Sequence, residues 1–162
     1  MKVTLDKANW KHGLKTAIAA GICLGLVRVV GLTPGFWACI STIVVMQSEA
    51  ADTLAASRDR LVGTAMGALV GLGASYFWNG HLIVYAVMVL VCAVVPGMMG
   101  FKAAGRMAGV TVTIVLLAAN SRAHWEVARD RFLEVSFGIV VAVVVSKVLW
   151  RETAAGSKAE GD

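Results

Sequence analysis

"RDRLVGTAMGALVG", Arg58 to Gly71, sets three charged side chains against an apolar run in which glycine returns at positions 63, 67 and 71. Residues four apart share a helix face, so Gly63, Gly67 and Gly71 make a doubled GxxxG ridge, the pattern that lets helices approach closely in lipid. A second stretch, "RDRFLEVSFGIVVA" from Arg129 to Ala142, repeats Arg-Asp-Arg 71 positions later and again leads into apolar sequence. Both stretches read as membrane helices preceded by charge.

Composition agrees. Of 162 residues, 58% are hydrophobic and 15% charged, well below the roughly 25% charged residues of soluble domains, and the mean hydropathy is +0.75. A spanning helix takes roughly 20 predominantly apolar residues, so this length holds six spans on short turns and no second, soluble domain. They are placed at Leu14–Gly31, Phe36–Gln47, Leu61–Trp78, Leu82–Met99, Met107–Ala119 and Phe132–Trp150. The expectation is an all-α integral membrane protein of six transmembrane helices: an interfacial lead over 1–13, a membrane domain over 14–151 and a flexible cytoplasmic tail over 152–162. Spans two and five are short and end at polar residues, Gln47 to Glu49 and Asn120 to Ser121. They either borrow flanking residues or sit as broken helices sheltered by neighbours. Pro96 and Gly97 predict a kink late in span four.

With the N-terminus inside, Lys2, Lys7, Lys11, Lys15, Arg58, Arg60, Lys102, Arg106, Lys147, Arg151 and Lys158 fall on the cytoplasmic side, against Arg122, Arg129 and Arg131 outside and Arg28 near the outer end of span one. The positive-inside rule then puts both termini in the cytoplasm, and the expected location is the inner membrane. Trp10, Trp37, Trp78, Trp125 and Trp150 fall at or just beyond span ends, as interfacial indoles do. "KVTLDKANWKHGLK" reads as an interfacial lead-in to span one, since no convincing small-residue cleavage site follows the apolar core. Cys23, Cys39 and Cys92 are odd in number and isolated in apolar segments, so they read as buried packing thiols with no disulfide framework and no metal site.

Further small-residue pairs extend the packing pattern: Gly21 with Gly25, Gly105 with Gly109, and Gly138, Ala142 and Ser146 in series. The 71-residue shift also lays Thr42-Ile43-Val44 on Thr113-Ile114-Val115, Gly67 on Gly138, Val70 on Val141 and Ser75 on Ser146. Three spans is an odd number, so a duplicated unit of this length starts from the opposite side of the membrane, which predicts a 3+3 inverted repeat. Short segments in corresponding places of such a repeat point to a transport site, here spans two and five with the charged approaches to spans three and six.

"GFWACISTIVVMQ", Gly35 to Gln47, followed by "RDRLVGTAMGALVG", resembles the membrane unit of the fusaric acid resistance and aromatic acid exporter superfamily, FUSC. "FKAAGRMAGVTVTIVLL" and "ARDRFLEVSFGIVVAVVVSKVLW" are similar to its back half, so the likeness runs from about Leu14 to Arg151. Trp37, Arg60, Gly63, Thr64 and Gly67 match the core motif, and Arg131 with Gly138 the later Arg-to-Gly spacing. The resemblance implies a six-helix bundle exporting aromatic or other organic carboxylates, with relatives among the dimeric aluminium-activated malate channels of plants. Against the large exporters this chain reads as a minimal, single-unit member that pairs with itself or another subunit.

Arginine suits an anion path because its permanently charged planar fork matches a carboxylate. Arg60 and Arg131, closest to the apolar runs, lead the candidates, followed by Arg28, Arg58 and Arg129. The competing reading makes them snorkelling anchors at span ends, with Asp59 and Asp130 as local counter-charges. Glu134, about one turn into span six, and Glu49, at the end of span two, are candidates for proton coupling; the alternative leaves both satisfied by nearby arginines. There is no GxxxxGK[ST] motif and no nucleophilic arrangement of Ser, His and Asp, so no enzyme activity, catalytic residue or cofactor is expected. The net charge of +5 belongs to the cytoplasmic flank, and no nucleic-acid partner is expected. The expected function is a homo-oligomeric transporter or channel subunit, a dimer favoured, that moves organic anions out through the bilayer. The alternative is a non-transporting scaffold or accessory subunit of a larger efflux assembly.

Overall fold

The computed structural model describes residues 7–32, 35–77, 80–101, 103–118 and 123–159. They form six helices: α1 Lys7–Val30, α2 Phe36–Val45, α3 Ala50–Ser75, α4 Leu82–Met98, α5 Ala104–Leu117 and α6 His124–Ala159. No strand occurs among the described residues. Lys2, Trp78, Lys102, Asn120, Ser121 and Arg122, along with the lead over 1–6 and the tail over 160–162, lie outside them.

Helix α1 contains one stretch, His12–Val30, long and apolar enough to cross a membrane unaided; the apolar α2, α4 and α5 are shorter. At about 1.5 Å per residue, the ten residues of α2 reach roughly 15 Å, half of a hydrocarbon core about 30 Å thick. Helices α3 and α6, with 26 and 36 residues, are long but begin before the apolar runs, so each Arg-Asp-Arg lies inside a helix and not in the turn ahead of it. In the same way α1 begins within the lead, and α6 carries helix through the polar stretch to Ala159.

Glycine ends two helices in the left-handed conformation that only it adopts without strain. After α1, Gly31 (φ 73) is followed by a Leu32 N–H that donates to Val27 O at 3.1 Å. After α4, Gly100 (φ 87) donates to Gly97 O at 3.1 Å and Phe101 to Pro96 O at 3.0 Å, the paired bonds of a Schellman end. Helix α4 thus stops two residues after Pro96, with the proline carbonyl used in the cap. Between α2 and α3 the turn is closed by the buried Thr53, whose Oγ1 accepts from Gln47 N–H and donates to Glu49 O, both at 3.0 Å.

Contacts divide the chain into two units, 1–57 with 137–162, and 58–136, the borders falling inside α3 and α6. In the first unit, α1 buries Ala19, Cys23 and Val27, one side chain per turn, and leads through the turn at Gly35 (φ 61) into α2. A Cβ on Gly35 would overlap Val27 Cγ1. Helix α2 buries Ala38, Ser41, Thr42 and Val45. On Gly138 of α6, an added Cβ would overlap Ala38 O and lie 3.0 Å from Ser41 Cβ. Thr42 Oγ1 stands 2.9 Å from Gly138 O and 3.0 Å from Ala38 O, so its proton is shared between two helices.

The second unit is built around α5. Gly63, Gly67 and Gly71 of α3 lie along it: a Cβ on the first two would overlap Ala104 O and Ala108 O, and one on Gly71 would come within 2.9 Å of Val115. On the other side a Cβ on Gly105 would sit 2.6 Å from Ala93 O of α4. Ala74, Cys92, Ala108, Val112 and Leu116 form the buried core; Ala68, Val115 and Ala128 join α3, α5 and the start of α6.

Two of these contacts match across the units. Gly67 meets the carbonyl of Ala108 and the Cβ of Thr111; Gly138 meets the carbonyl of Ala38 and the Cβ of Ser41. The glycines are 71 apart and their partners 70, so the register of the short helices differs by one residue from the sequence shift that lays Thr42 on Thr113. Each glycine also packs on the short helix of the other half of the sequence, α3 on α5 and α6 on α2.

Gly21, Gly25 and Gly109 are the exceptions to the expected packing: a Cβ on any of them meets nothing within 4 Å. Helix α1 turns Ala19, Cys23 and Val27 inward, which leaves Gly21 and Gly25 on its exposed side.

Alanine substitutions separate these classes. Gly67→Ala and Gly138→Ala force backbone apart and are expected to cost about 1–3 kcal/mol, whereas Gly21→Ala and Gly25→Ala are expected to stabilise by up to about 1 kcal/mol through helix propensity. Thermal unfolding of the purified variants in detergent measures the difference, and a loss at Gly21 equal to that at Gly67 would contradict the exposed placement.

Candidate anion site at two buried arginines

On α3, successive residues of Arg58-Asp59-Arg60 point about 100° apart, which gives each a different neighbour. Arg58 is exposed, its guanidinium 4.6 Å from the centroid of Phe101, within cation–π range. Asp59 reaches the start of α5, where Oδ2 accepts the N–H of Ala103 at 3.0 Å, favoured by the partial positive charge of a helix N-terminus. Arg60 turns inward to 7% exposure and its Nη1 contacts the Sδ of Met107 on α5. Thr64, one turn on, donates to Arg60 O at 2.9 Å.

The second triplet divides in the same manner. Arg129 is exposed, pairs with Asp130 Oδ1 at 3.0 Å and lies 5.2 Å from the Trp125 ring. Arg131 is buried, also at 7% exposure, and its Nη2 meets Glu134 Oε2 at 2.6 Å. In both triplets, therefore, the first arginine rests by an aromatic ring at the surface and the last is buried. Withdrawing a charge from water costs several kcal/mol, so the inward arginines are the unusual members.

The remaining candidates are placed apart from this pair. Arg28 is exposed in the last turn of α1, where a cation complements the helix dipole. Glu49 is exposed in the turn before α3 and lacks the burial that proton exchange within a membrane requires. Glu134 is 2% exposed and has that burial. Gly63, Gly67, Gly71 and Gly105 serve close backbone contact between helices.

Three contributions escape the sequence. Asp59 finds its partner 44 residues ahead, beyond any local counter-charge rule. Met107 is an ordinary apolar residue until α5 docks. The double role of Thr53 depends on the length of the α2–α3 turn; its signal was a hydroxyl four residues after Glu49, where back-bonding to a carbonyl is available.

A family described as fusaric acid resistance protein-like matches residues 21–145. A UPF0421 protein of Halalkalibacterium halodurans is 26% identical over 133 residues, covering 82% of this chain and 37% of that protein. An uncharacterized protein of Haemophilus influenzae is 26% identical over 68 residues, 42% of this chain and 10% of its own length. The chain thus spans well under half the length of these curated relatives, and no solved structure matches it. Because the family match runs from the middle of α1 into α6 and takes in both Arg-Asp-Arg triplets, the chain belongs to the fusaric acid resistance protein-like family.

Proposed function

We propose that the chain is a transporter or channel subunit that moves organic anions, aromatic or other small carboxylates, out across the inner membrane. The observation that carries this reading is the burial of Arg60 and Arg131 to the same 7% at matching places in two helices of a membrane family. Anchoring explains an arginine at a span end that reaches water. It does not explain one turned inward, where ionisable groups in membrane proteins mark substrate and ion paths. A guanidinium in a low-dielectric setting binds a carboxylate through charge-assisted, bidentate hydrogen bonds.

On this reading all six helices lie within the bilayer as a 3+3 inverted repeat, both termini are cytoplasmic, and two copies associate. The swapped glycine contacts support the repeat, since each half sets a glycine on the short helix of the other, Gly67 on Ala108 and Gly138 on Ala38. The short α2 and α5 are the corresponding interrupted segments beside the route.

Purified protein in liposomes is expected to pass benzoate or malate, and Arg60→Gln and Arg131→Gln to lower the initial flux about tenfold or more, as loss of a charged hydrogen bond worth about 1.5–3 kcal/mol implies. Arg58→Gln and Arg129→Gln, which alter exposed contacts worth about 0–1 kcal/mol, are expected to stay within about threefold. Fluxes are normalised to folded protein recovered by size exclusion. Absence of flux for every anion tried, with Arg60 and Arg131 indifferent to substitution in cells, would leave the scaffold reading in its place.

The association is checked by native mass spectrometry from lipid nanodiscs. Two chains of 17.0 kDa are the expected mass, and a uniform monomer that still transports would rule out the pairing.

A further inference from the structure

The two buried arginines differ in the residue that stands one turn beyond each. Three residues after Arg131 comes Glu134, in contact with it at 2.6 Å, and the two side chains are only 8% and 3% exposed. Three residues after Arg60 comes Gly63, where the backbone of α5 leaves no room for a Cβ. A carboxylate at that position is therefore a feature of α6 alone. Stability does not account for it, because a buried ion pair is usually no better than apolar residues of the same volume. The contact itself joins two residues of one helix. What the arrangement does supply is a carboxylate on a desolvated guanidinium, the chemistry of a carboxylate substrate in an arginine site.

We infer that Arg131 is a carboxylate-binding site occupied by the chain's own Glu134, and that a small external monocarboxylate takes the place of the Glu134 side chain when it binds. The inference rests on the anion-transport reading and adds a competition to it: substrate reaches Arg131 by displacing an internal ligand. Glu134 is tethered one helical turn away and so holds the site at high effective concentration.

Chemical rescue tests the inference without any transport measurement. Glu134→Ala empties the position and is expected to lower the thermal midpoint of the purified full chain. Sodium formate or acetate is expected to restore most of that loss, with sodium chloride of equal ionic strength as the control. The double variant Arg131→Gln/Glu134→Ala is expected to show no carboxylate-specific gain. If Glu134→Ala does not fold, Glu134→Gln, which keeps the volume and drops the charge, carries the same comparison in liposomes. There its flux at subsaturating benzoate should exceed that of the wild type several-fold.

A rescue no larger than in the double variant, or a Glu134→Gln flux equal to or below the wild type, overturns the inference. Wild-type flux persisting beside such a result leaves the transport reading standing. No flux from the wild type, with rescue intact, removes transport and keeps the carboxylate site.

Discussion

Gly67 and Gly138 bring helix backbones into direct contact, and the rest of the structure hangs on those two approaches. Apolar helices in lipid gain almost nothing by hiding apolar side chains from their surroundings, so association depends on dispersion at short range and on polar contacts between backbones. Glycine permits both: with no Cβ, its Cα reaches the carbonyl oxygen of the neighbouring helix, at Ala108 in one case and Ala38 in the other. In the first unit Thr42 adds a hydroxyl shared between α2 and α6. The helices held in this way are the two short ones, α2 and α5, which lack the length to hold their own place across a bilayer and depend on the long helices beside them.

Much of this was legible in the sequence, and the parts that were not have a common cause. The six helices follow from apolar run length and turn residues, and the ridge at 63, 67 and 71 follows from spacing alone. Spacing could not tell which ridge finds a partner. Gly21 and Gly25 have the same interval as Gly63 and Gly67, yet they lie on the exposed side of α1, because one buried face of that helix is already set by Ala19, Cys23 and Val27. Nor could it place the helix starts. Ala50 and His124 open α3 and α6 ahead of the apolar runs, since helix formation by Ala-rich or charged sequence does not wait for hydrophobicity. The candidate site was half visible: the repeated triplet singled out Arg60 and Arg131, while the tasks of Asp59 and Met107 required the packed α5.

That packing explains how a run of three charges can stand inside an apolar helix. A helix rotates about 100° per residue, so consecutive side chains cannot share an environment, and each triplet divides its charges among three. The first arginine keeps to the surface beside an aromatic ring, Phe101 or Trp125. The aspartate takes up a third contact, with the start of α5 in one triplet and with Arg129 in the other. The last arginine is directed inward by the same rotation that sends the first outward. One arginine held at the surface therefore sets the other, two residues and about 200° on, toward the interior.

The halves are alike in backbone contact and unlike in charge, and the difference comes from the glycines. Position 63 has to be glycine because α5 lies on it, whereas in α6 the contact glycine is Gly138 and position 134 is free to carry a side chain. On the proposed transport reading, this freedom makes two arginine sites of unequal character, Arg60 against a thioether and Arg131 against a carboxylate. On that reading a substrate anion meets an internal competitor, Glu134, at the second. An inverted repeat with identical halves would treat its two membrane faces alike. On the proposed reading, the glutamate that stands at 134 where the first half has Gly63 makes the two halves differ in charge at this one position.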